Sequence, residues 1–253
     1  MNTMQPDFKD LFSTDSQKYL DFRPRYPDQL FSYLASLCKG HQSVWDVGTG
    51  NGQAAYELAK TFDQVIGTDP SAKQLQHALT KENIIYKEGT AENPPLEIGQ
   101  TFDLITVAQA FHWFKHAIFA EVVKKHAKSE THLVVWSYAL AFLTPEIDKV
   151  VMELYRGVLD TYWDPERQHV ENGYQNIFMP FHELTSPAIS MSANWSLAHL
   201  VGYLMTWSAT QKYIKEKGEN PVEKFFPELK KAWGDNEFHT ITWPLNIRTW
   251  KII

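Results

Sequence analysis

The stretch Val44-Trp45-Asp46-Val47-Gly48-Thr49-Gly50-Asn51-Gly52-Gln53 decides the fold of this chain. It runs from a short apolar strand through a glycine turn into a predicted helix. Glycine has no Cβ, so three glycines let the backbone turn sharply and approach a ligand closely. The turn also directs the free N–H groups of the helix start toward that ligand. The G-x-G-x-G spacing differs from the G-x-G-x-x-G of nicotinamide dinucleotide folds.

Two carboxylates flank this turn and indicate which ligand it binds. Asp69 ends the next predicted strand, 64–68, and a carboxylate about 20 residues beyond the first glycine is where nucleotide folds bind a ribose diol. Asp46 directly precedes the turn, where it would repel a pyrophosphate and attract the ammonium group of an amino acid. A ligand with a ribose at one end and an amino acid at the other is S-adenosylmethionine.

These motifs resemble those of the class I S-adenosylmethionine-dependent methyltransferases, specifically the small-molecule, type 11 branch with its trans-aconitate methyltransferase-like group. The resemblance covers about residues 19 to 138 by the order and spacing of its motifs. It implies a doubly wound α/β fold with a seven-stranded, mostly parallel sheet. It also implies S-adenosylmethionine as cofactor, with Gly48, Gly50 and Gly52 under its methionyl part, Asp46 near its amine and Asp69 on its ribose.

Two further segments are similar to segments of the same family. Residues 19–27 read Tyr-Leu-Asp-Phe-Arg-Pro-Arg-Tyr-Pro, which matches a stretch that covers the cofactor in that branch. By this resemblance Tyr19 and Arg23 bind the cofactor and Arg25 lines the substrate pocket; the alternative is that the arginines are surface charges beside a proline turn. The sequence Gly-Thr-Ala-Glu at 89–92 resembles the family's adenine loop, which makes Ala91 and Glu92 candidates for cofactor binding.

A histidine-containing motif closes the predicted fourth strand, 101–108. It reads Gln109-Ala110-Phe111-His112-Trp113 and lies at the edge where open α/β sheets bind ligands. By resemblance, Gln109 contacts the methionyl part, and Phe111 and Trp113 wall the substrate pocket. His112 is either a general base, which an unperturbed pKa of about 6.5 suits, or a histidine that orients the loop.

The resemblance is weakest beyond residue 138. Residues 139–235 are predicted to form helical insertions that cover the substrate, with 164–173 over the pocket. Trp207 is a candidate pocket residue, and packing in the core is its alternative. Residues 236–253 predict a C-terminal strand pair with Pro244 at a bend, bulge or edge. The whole chain, 1–253, is therefore predicted to be a single domain.

Composition limits the classes of partner. A chain of 253 residues suffices for one domain with a lid, and a net charge of −6 without a basic run argues against binding to nucleic acid or an anionic membrane. Cys38 is the only cysteine, which favours a reducing, cytoplasmic setting. The N-terminus lacks the pattern of a signal peptide. The ten histidines are scattered without ligand spacing, so no metal site is predicted.

The sequence therefore predicts methyl transfer from S-adenosylmethionine to a small-molecule acceptor. A carboxylic acid, methylated on oxygen, is the candidate acceptor, because an arginine could pair with it. Three alternatives stay open, namely methylation of a protein or tRNA, a protein that binds the cofactor without catalysis, and a dinucleotide enzyme. The sequence does not define the oligomeric state.

Overall fold

Five parallel strands form the first half of the sheet in the computed structural model, which describes residues 22–252. Tyr19, a predicted cofactor residue, lies outside this range. The strands are Ser43–Val47 (β1), Gln64–Asp69 (β2), Ile84–Glu88 (β3), Phe102–Ala108 (β4) and Ala127–Ser137 (β5). Their order is β3-β2-β1-β4-β5, so the chain moves outward from β1 and then returns to its other side at β4. Such a switch point opens a crevice at the carboxyl ends of the two central strands.

Three more strands complete the sheet through antiparallel pairing with the last of them. They are His182–Leu184 (β6), Ile189–Trp195 (β7) and His239–Lys251 (β8). The second half of β8 pairs with β5 and β6, and its first half pairs with β7. The predicted doubly wound α/β fold with a mostly parallel sheet is confirmed. The sheet has eight strands, one more than predicted, because the short β6 adds to β8.

The prediction of a C-terminal strand pair over 236–253 is wrong. One continuous strand, β8, passes through Pro244, which lies opposite Ser190 of β7. At Pro244, β7 is the only described strand beside β8, and the other side of β8 is an edge. Proline has no N–H to donate, and at this edge no neighbouring described strand requires one. The chain therefore continues as one strand where a turn was expected.

Helices cover the two faces of the sheet. Neighbouring strand residues point to opposite faces, so Val44 of β1 lies in one apolar core and Trp45 lies in the other. The α-helices, in chain order, are Asp28–Ser36 (α1), Gln53–Leu58 (α2), Ala72–Gln76 (α3), His116–His126 (α4), Pro145–Met152 (α5), Arg167–Glu171 (α6), Leu197–Met205 (α7), Ser208–Lys217 (α8) and Pro221–Trp233 (α9).

The segment after β5 builds a wall above the carboxyl edge of the sheet. Helix α5 begins at Thr144, whose side chain accepts a hydrogen bond from the Ile147 N–H. It continues directly into a π-helical turn, Glu153–Val158, and a 3₁₀ turn, Asp160–Tyr162. Single π-helical turns recur at functional sites because they shift the side chains that follow them. Here the turn leads into α6, which borders the central cavity.

Among residues 22–252, no helix is both long enough and apolar enough to cross a membrane.

Candidate active site

The three glycines of the β1 turn adopt left-handed backbone conformations for different reasons. Their φ angles are 66° at Gly48, 55° at Gly50 and 76° at Gly52. A Cβ on Gly48 would lie 2.5 Å from the Cβ of Ala110, and a Cβ on Gly52 would lie 2.0 Å from the hydroxyl oxygen of Tyr86. A Cβ on Gly50 would meet no atom within 4 Å. Packing therefore requires the outer glycines, and Gly50 is where a ligand has room to approach the backbone.

Asp69 ties the end of β2 to this turn. Its two carboxylate oxygens accept hydrogen bonds from the backbone N–H groups of Gly50 and Ser71, each at 2.9 Å. The residue is 8% exposed. Asp69 thus shapes the turn and borders the open space at Gly50, and ribose binding by this side chain stays a prediction.

Asp46 lies fully buried beneath the turn. Its two oxygens accept hydrogen bonds from the hydroxyls of Thr49, at 2.6 Å, and Thr106, at 2.8 Å. Burial raises its pKa to about 6, and the nearby charge of Asp69 acts in the same direction. The side chain therefore fixes the turn from below, and its predicted position beside a ligand ammonium group stays a prediction.

Replacing Asp46 with asparagine is expected to remove a pH dependence of folding stability. Because the pKa of Asp46 is higher in the folded protein, the folded state binds more protons than the unfolded state, and stability falls as pH rises from about 4 to about 6. The stability difference between Asp46→Asn and wild type should therefore change by roughly 2–3 kcal/mol over that interval, in favour of the variant at the higher pH. Urea unfolding of both proteins at the two pH values measures this change. A stability difference that is the same at both pH values would contradict the raised pKa of Asp46.

The loop after β3 is joined to the loop after β4. Ala91 is buried in the core, and Glu92 accepts a hydrogen bond from the Lys115 N–H at 2.7 Å. Lys115 immediately precedes α4, so the carboxylate also sits at the start of that helix, where negative charge is favourable. The predicted adenine loop is therefore fixed at the same edge of the sheet as the glycine turn.

Gln109 joins the ends of β4 and β5 in a strained conformation. Its φ is 56°, a region that residues other than glycine rarely adopt. Its backbone N–H donates to the Trp136 carbonyl at 3.0 Å, and its side-chain amide donates to the Tyr138 carbonyl at 3.1 Å. Strain of this kind persists where the surrounding structure holds it, often at functional sites. Gln109 borders a cavity in front of the sheet edge.

His112 faces the same cavity as a neutral imidazole. Its Nδ1 lies 3.2 Å from the Tyr174 hydroxyl, and the two rings are nearly parallel. Burial, with smaller contributions from the neighbouring Arg167 and His169, lowers the pKa of His112 to about 3. A group with so low a pKa accepts protons poorly at neutral pH. The hydrogen bond to Tyr174 is the kind of contact that the loop-orienting role requires, and both predicted roles stay predictions.

Aromatic rings wall the cavity. Trp113 and Trp207, both candidate pocket residues, border it together with Trp163 and Tyr203. Their contact with the acceptor stays a prediction. Trp207 is 4% exposed and its ring packs edge-on against Tyr155, so the alternative of core packing also describes it. The walls of the cavity therefore combine aromatic rings with polar side chains such as Gln109 and His112.

Phe111 does not line the cavity, in contrast to its predicted position. It is fully buried and packs edge-on against Phe114 and Tyr174. The chain forms a 3₁₀ turn over Phe111–Trp113, which directs the first ring into the core while the next two residues face the cavity.

The two arginines of the 19–27 segment occupy different places. Arg23 borders the cavity, where its guanidinium donates to the Thr206 carbonyl at 3.2 Å and lies over the ring of Tyr203. Arg25 is exposed and does not border it, so its predicted pocket position is wrong and the surface alternative holds. The cause is Tyr26, which packs edge-on against Trp136 and leaves the preceding side chain on the outside.

Comparison with known proteins identifies the family. Residues 44–129 match the model of a methyltransferase domain, which begins within β1 and includes the glycine turn, Asp69 and the β4 loop. A candidate methyltransferase of Dictyostelium discoideum is 35% identical over 246 residues, which cover 94% of this chain and 93% of the relative. The chain belongs to the class I S-adenosylmethionine-dependent methyltransferases.

Other relatives of this methyltransferase agree. A solved structure from Anaeromyxobacter dehalogenans, described as a candidate type II methyltransferase, is 36% identical and superposes with a TM-score of 0.85 over 92% of this chain and 99% of that one. A candidate S-adenosylmethionine-dependent methyltransferase of Saccharomyces cerevisiae is 30% identical over 132 residues, which cover 49% of this chain and 45% of the relative. The cofactor is S-adenosylmethionine, and the open space at Gly50 beside Asp69 fits a ligand of this kind.

Two charged cavity residues of the methyltransferase were not predicted individually. Asp164 and Arg167 come from the segment at 164–173, which was expected over the pocket on account of its polar composition. Asp164 forms an ion pair with Lys212 at 2.7 Å. Arg167 donates from Nε to the Tyr155 hydroxyl at 3.1 Å and lies over the ring of Trp163. The polar composition of residues 164–173 predicted that the segment lies over the pocket. The order of its residues did not indicate which side chains face the cavity.

Proposed function

We propose that this methyltransferase methylates a carboxylate oxygen of a small organic acid. The observation that carries the proposal is the lack of a competent base among the described residues that border the cavity. His112, with a pKa of about 3, is a poor proton acceptor, and Asp164 is engaged by Lys212. An acceptor that arrives already ionised needs no base. A carboxylate meets this condition at neutral pH, whereas amines, thiols and alcohols must first lose a proton.

The cofactor is proposed to lie along the carboxyl edge of the sheet. Gly48, Gly50 and Gly52 would support its methionyl part above Asp46, and Asp69 would hold its ribose. Ala91 and Glu92 would border its adenine, while Gln109 and Arg23 would face the methionyl end. The support for this arrangement is that these described residues lie at or just beyond the carboxyl ends of β1 to β4, or border the cavity in front of them.

The chain's own contribution to the reaction is positioning and exclusion of water. When bound, S-adenosylmethionine would supply an electrophilic methyl carbon, and the electron pair of the broken C–S bond would stay on sulfur. A carboxylate oxygen can therefore accept the methyl group without any proton transfer. Rings such as Trp113 and Trp207 would hold the acceptor in line and keep the pocket dry. The partly enclosed cavity supports a small acceptor over a protein, and the net charge of −6 argues against tRNA. A cytoplasmic location stays a prediction.

An acceptor screen with methyl-labelled S-adenosylmethionine tests this function. Carboxylic acids paired with their amides and alcohols are offered to the protein, and the label is expected to appear in the acids alone, in a form that mild alkali releases as methanol. Because the only proton acceptor proposed for the site, His112, is already neutral, kcat should vary less than about twofold between roughly pH 6 and 8.

Two outcomes would contradict this account of the reaction. One is a label that resists alkali, which would indicate methylation on nitrogen or carbon. The other is a kcat that rises about tenfold per pH unit below neutrality, which would show that a group in the site must lose a proton first. His112→Gln serves as a check, since a residue that only orients the loop should leave the shape of the pH profile unchanged.

A further inference from the structure

Arg167 presents a guanidinium to the acceptor cavity. It begins α6, borders the cavity, and lies with its charged carbon 4.8 Å from the ring centroid of Trp163. Its Nε donates to the Tyr155 hydroxyl at 3.1 Å. No described carboxylate forms an ion pair with it. The two terminal nitrogens therefore keep the planar fork that matches a carboxylate.

The balance of charge in the cavity favours an anion at this position. Asp164 is the sole carboxylate among the described residues that border the cavity, and Lys212 neutralises it at 2.7 Å. Arg167, which no described carboxylate neutralises, borders the same space. The cavity walls thus carry more positive than negative charge, although the chain as a whole carries −6. A partly enclosed, aromatic site strengthens this attraction because little water screens it.

A chain of hydrogen bonds fixes the direction of the guanidinium. The Tyr155 hydroxyl donates its proton to Glu171, which leaves its oxygen to accept from Arg167 Nε. Glu171 is itself held by Arg156 at 2.7 Å. Tyr155 is buried in the π-helical turn 153–158, and that turn directs its ring toward α6. The fork of Arg167 is therefore held before any ligand binds, which lowers the entropy cost of binding.

We propose that Arg167 is the residue that binds the carboxylate of the acceptor, and that Tyr155 positions it through the hydroxyl that accepts from Nε. The inference rests on the proposed function, in which the acceptor is an acid. It names the side chain that recognises this acid. Trp163 and Trp207 would then contact the apolar body of the acid. Arg23, which donates to the Thr206 carbonyl, would then face the methionyl end of the cofactor.

The test compares Arg167→Gln, Arg167→Lys and wild type, with trans-cinnamate, octanoate and benzoate as probes and their primary amides as neutral counterparts. Titration of each probe into protein saturated with S-adenosylhomocysteine measures binding without turnover. Arg167→Gln is expected to weaken carboxylate binding by roughly 10- to 100-fold, the effect of losing charge-assisted hydrogen bonds. Arg167→Lys should fall between, because lysine keeps the charge and loses the fork. For any probe that turns over, KM should rise and kcat should change less than about threefold.

Positioning by Tyr155 is measured with Tyr155→Phe, which keeps the ring and removes the hydroxyl. Carboxylate affinity is expected to fall by roughly threefold to tenfold, and the additional effect of Tyr155→Phe should vanish in the Arg167→Gln background. Lys231→Gln, which removes one exposed positive charge from α9, is the control for net charge and should bind the probes like wild type. Affinity for S-adenosylhomocysteine should be the same in all variants.

The outcomes separate this inference from the proposed function. Carboxylates that bind through Arg167 but are never methylated would overturn the function and support the inference. Acids that are methylated equally well by Arg167→Gln would overturn the inference and leave the function intact. The inference also fails if no probe acid binds wild type at millimolar concentration, or if amides bind as tightly as acids.

Discussion

Gly52→Ala is expected to lower the free energy of unfolding by about 2–4 kcal/mol, the sum of a left-handed backbone penalty and an overpacked contact. Gly52 has a φ of 76°, which costs an alanine energy that glycine does not lose. The added Cβ would also lie 2.0 Å from the hydroxyl oxygen of Tyr86. That hydroxyl is held by the Leu79 carbonyl at 2.6 Å, so the ring cannot move without losing a hydrogen bond.

Urea unfolding of Gly52→Ala and Gly218→Ala measures this effect against a matched control. Gly218 ends α8 with a φ of 69°, and a Cβ there would meet no atom within 4 Å. Its replacement should therefore cost only the backbone part, about 1–2 kcal/mol. Equal losses in the two variants would show that the contact between the glycine turn and Tyr86 does not constrain the fold.

Asp69→Ala is expected to weaken binding of S-adenosylhomocysteine by roughly 30- to 300-fold, the effect of losing charge-assisted hydrogen bonds to two ribose hydroxyls. The substitution also removes the acceptor for the Gly50 and Ser71 N–H groups, so part of the loss comes from a less ordered turn. Asp69→Asn keeps the shape of the side chain and should lie between alanine and wild type.

Calorimetric titration of these variants needs a control that loses the same charge. Asp63→Ala removes an exposed carboxylate just before β2 and should bind S-adenosylhomocysteine like wild type. Urea unfolding of each variant separates lost affinity from lost folding. Wild-type affinity in a folded Asp69→Ala protein would show that the ribose is held elsewhere.

The parts of the site at the carboxyl ends of the parallel strands could be predicted from the sequence. The glycine turn, Asp69 and the Gln109 loop follow β1, β2 and β4, and parallel strands bring their carboxyl ends to one edge. The sequence around each strand therefore predicts the strand and the turn after it, and the parallel arrangement of the strands predicts that these turns lie together. The same holds for the start of α5, where Thr144 precedes a proline.

The acceptor side could not be predicted residue by residue because it depends on contacts between distant segments. Arg167 faces the cavity because Tyr155 and Glu171 hold it, and a π-helical turn leaves no signature in the sequence. Phe111 was placed in the pocket because its motif includes three residues that do border the cavity, Gln109, His112 and Trp113. The continuous β8 was missed because Pro244 reads as a break unless the pairing partner is known.

The most direct test of the central claim is a calorimetric titration of S-adenosylhomocysteine into the wild-type protein, with NAD⁺ as the comparison ligand. Saturable binding of one S-adenosylhomocysteine per chain and no heat from NAD⁺ is the predicted result. Absence of binding by a protein shown to be folded, or binding of NAD⁺ in competition with S-adenosylhomocysteine, would contradict the account of the glycine turn and Asp69 as the cofactor site.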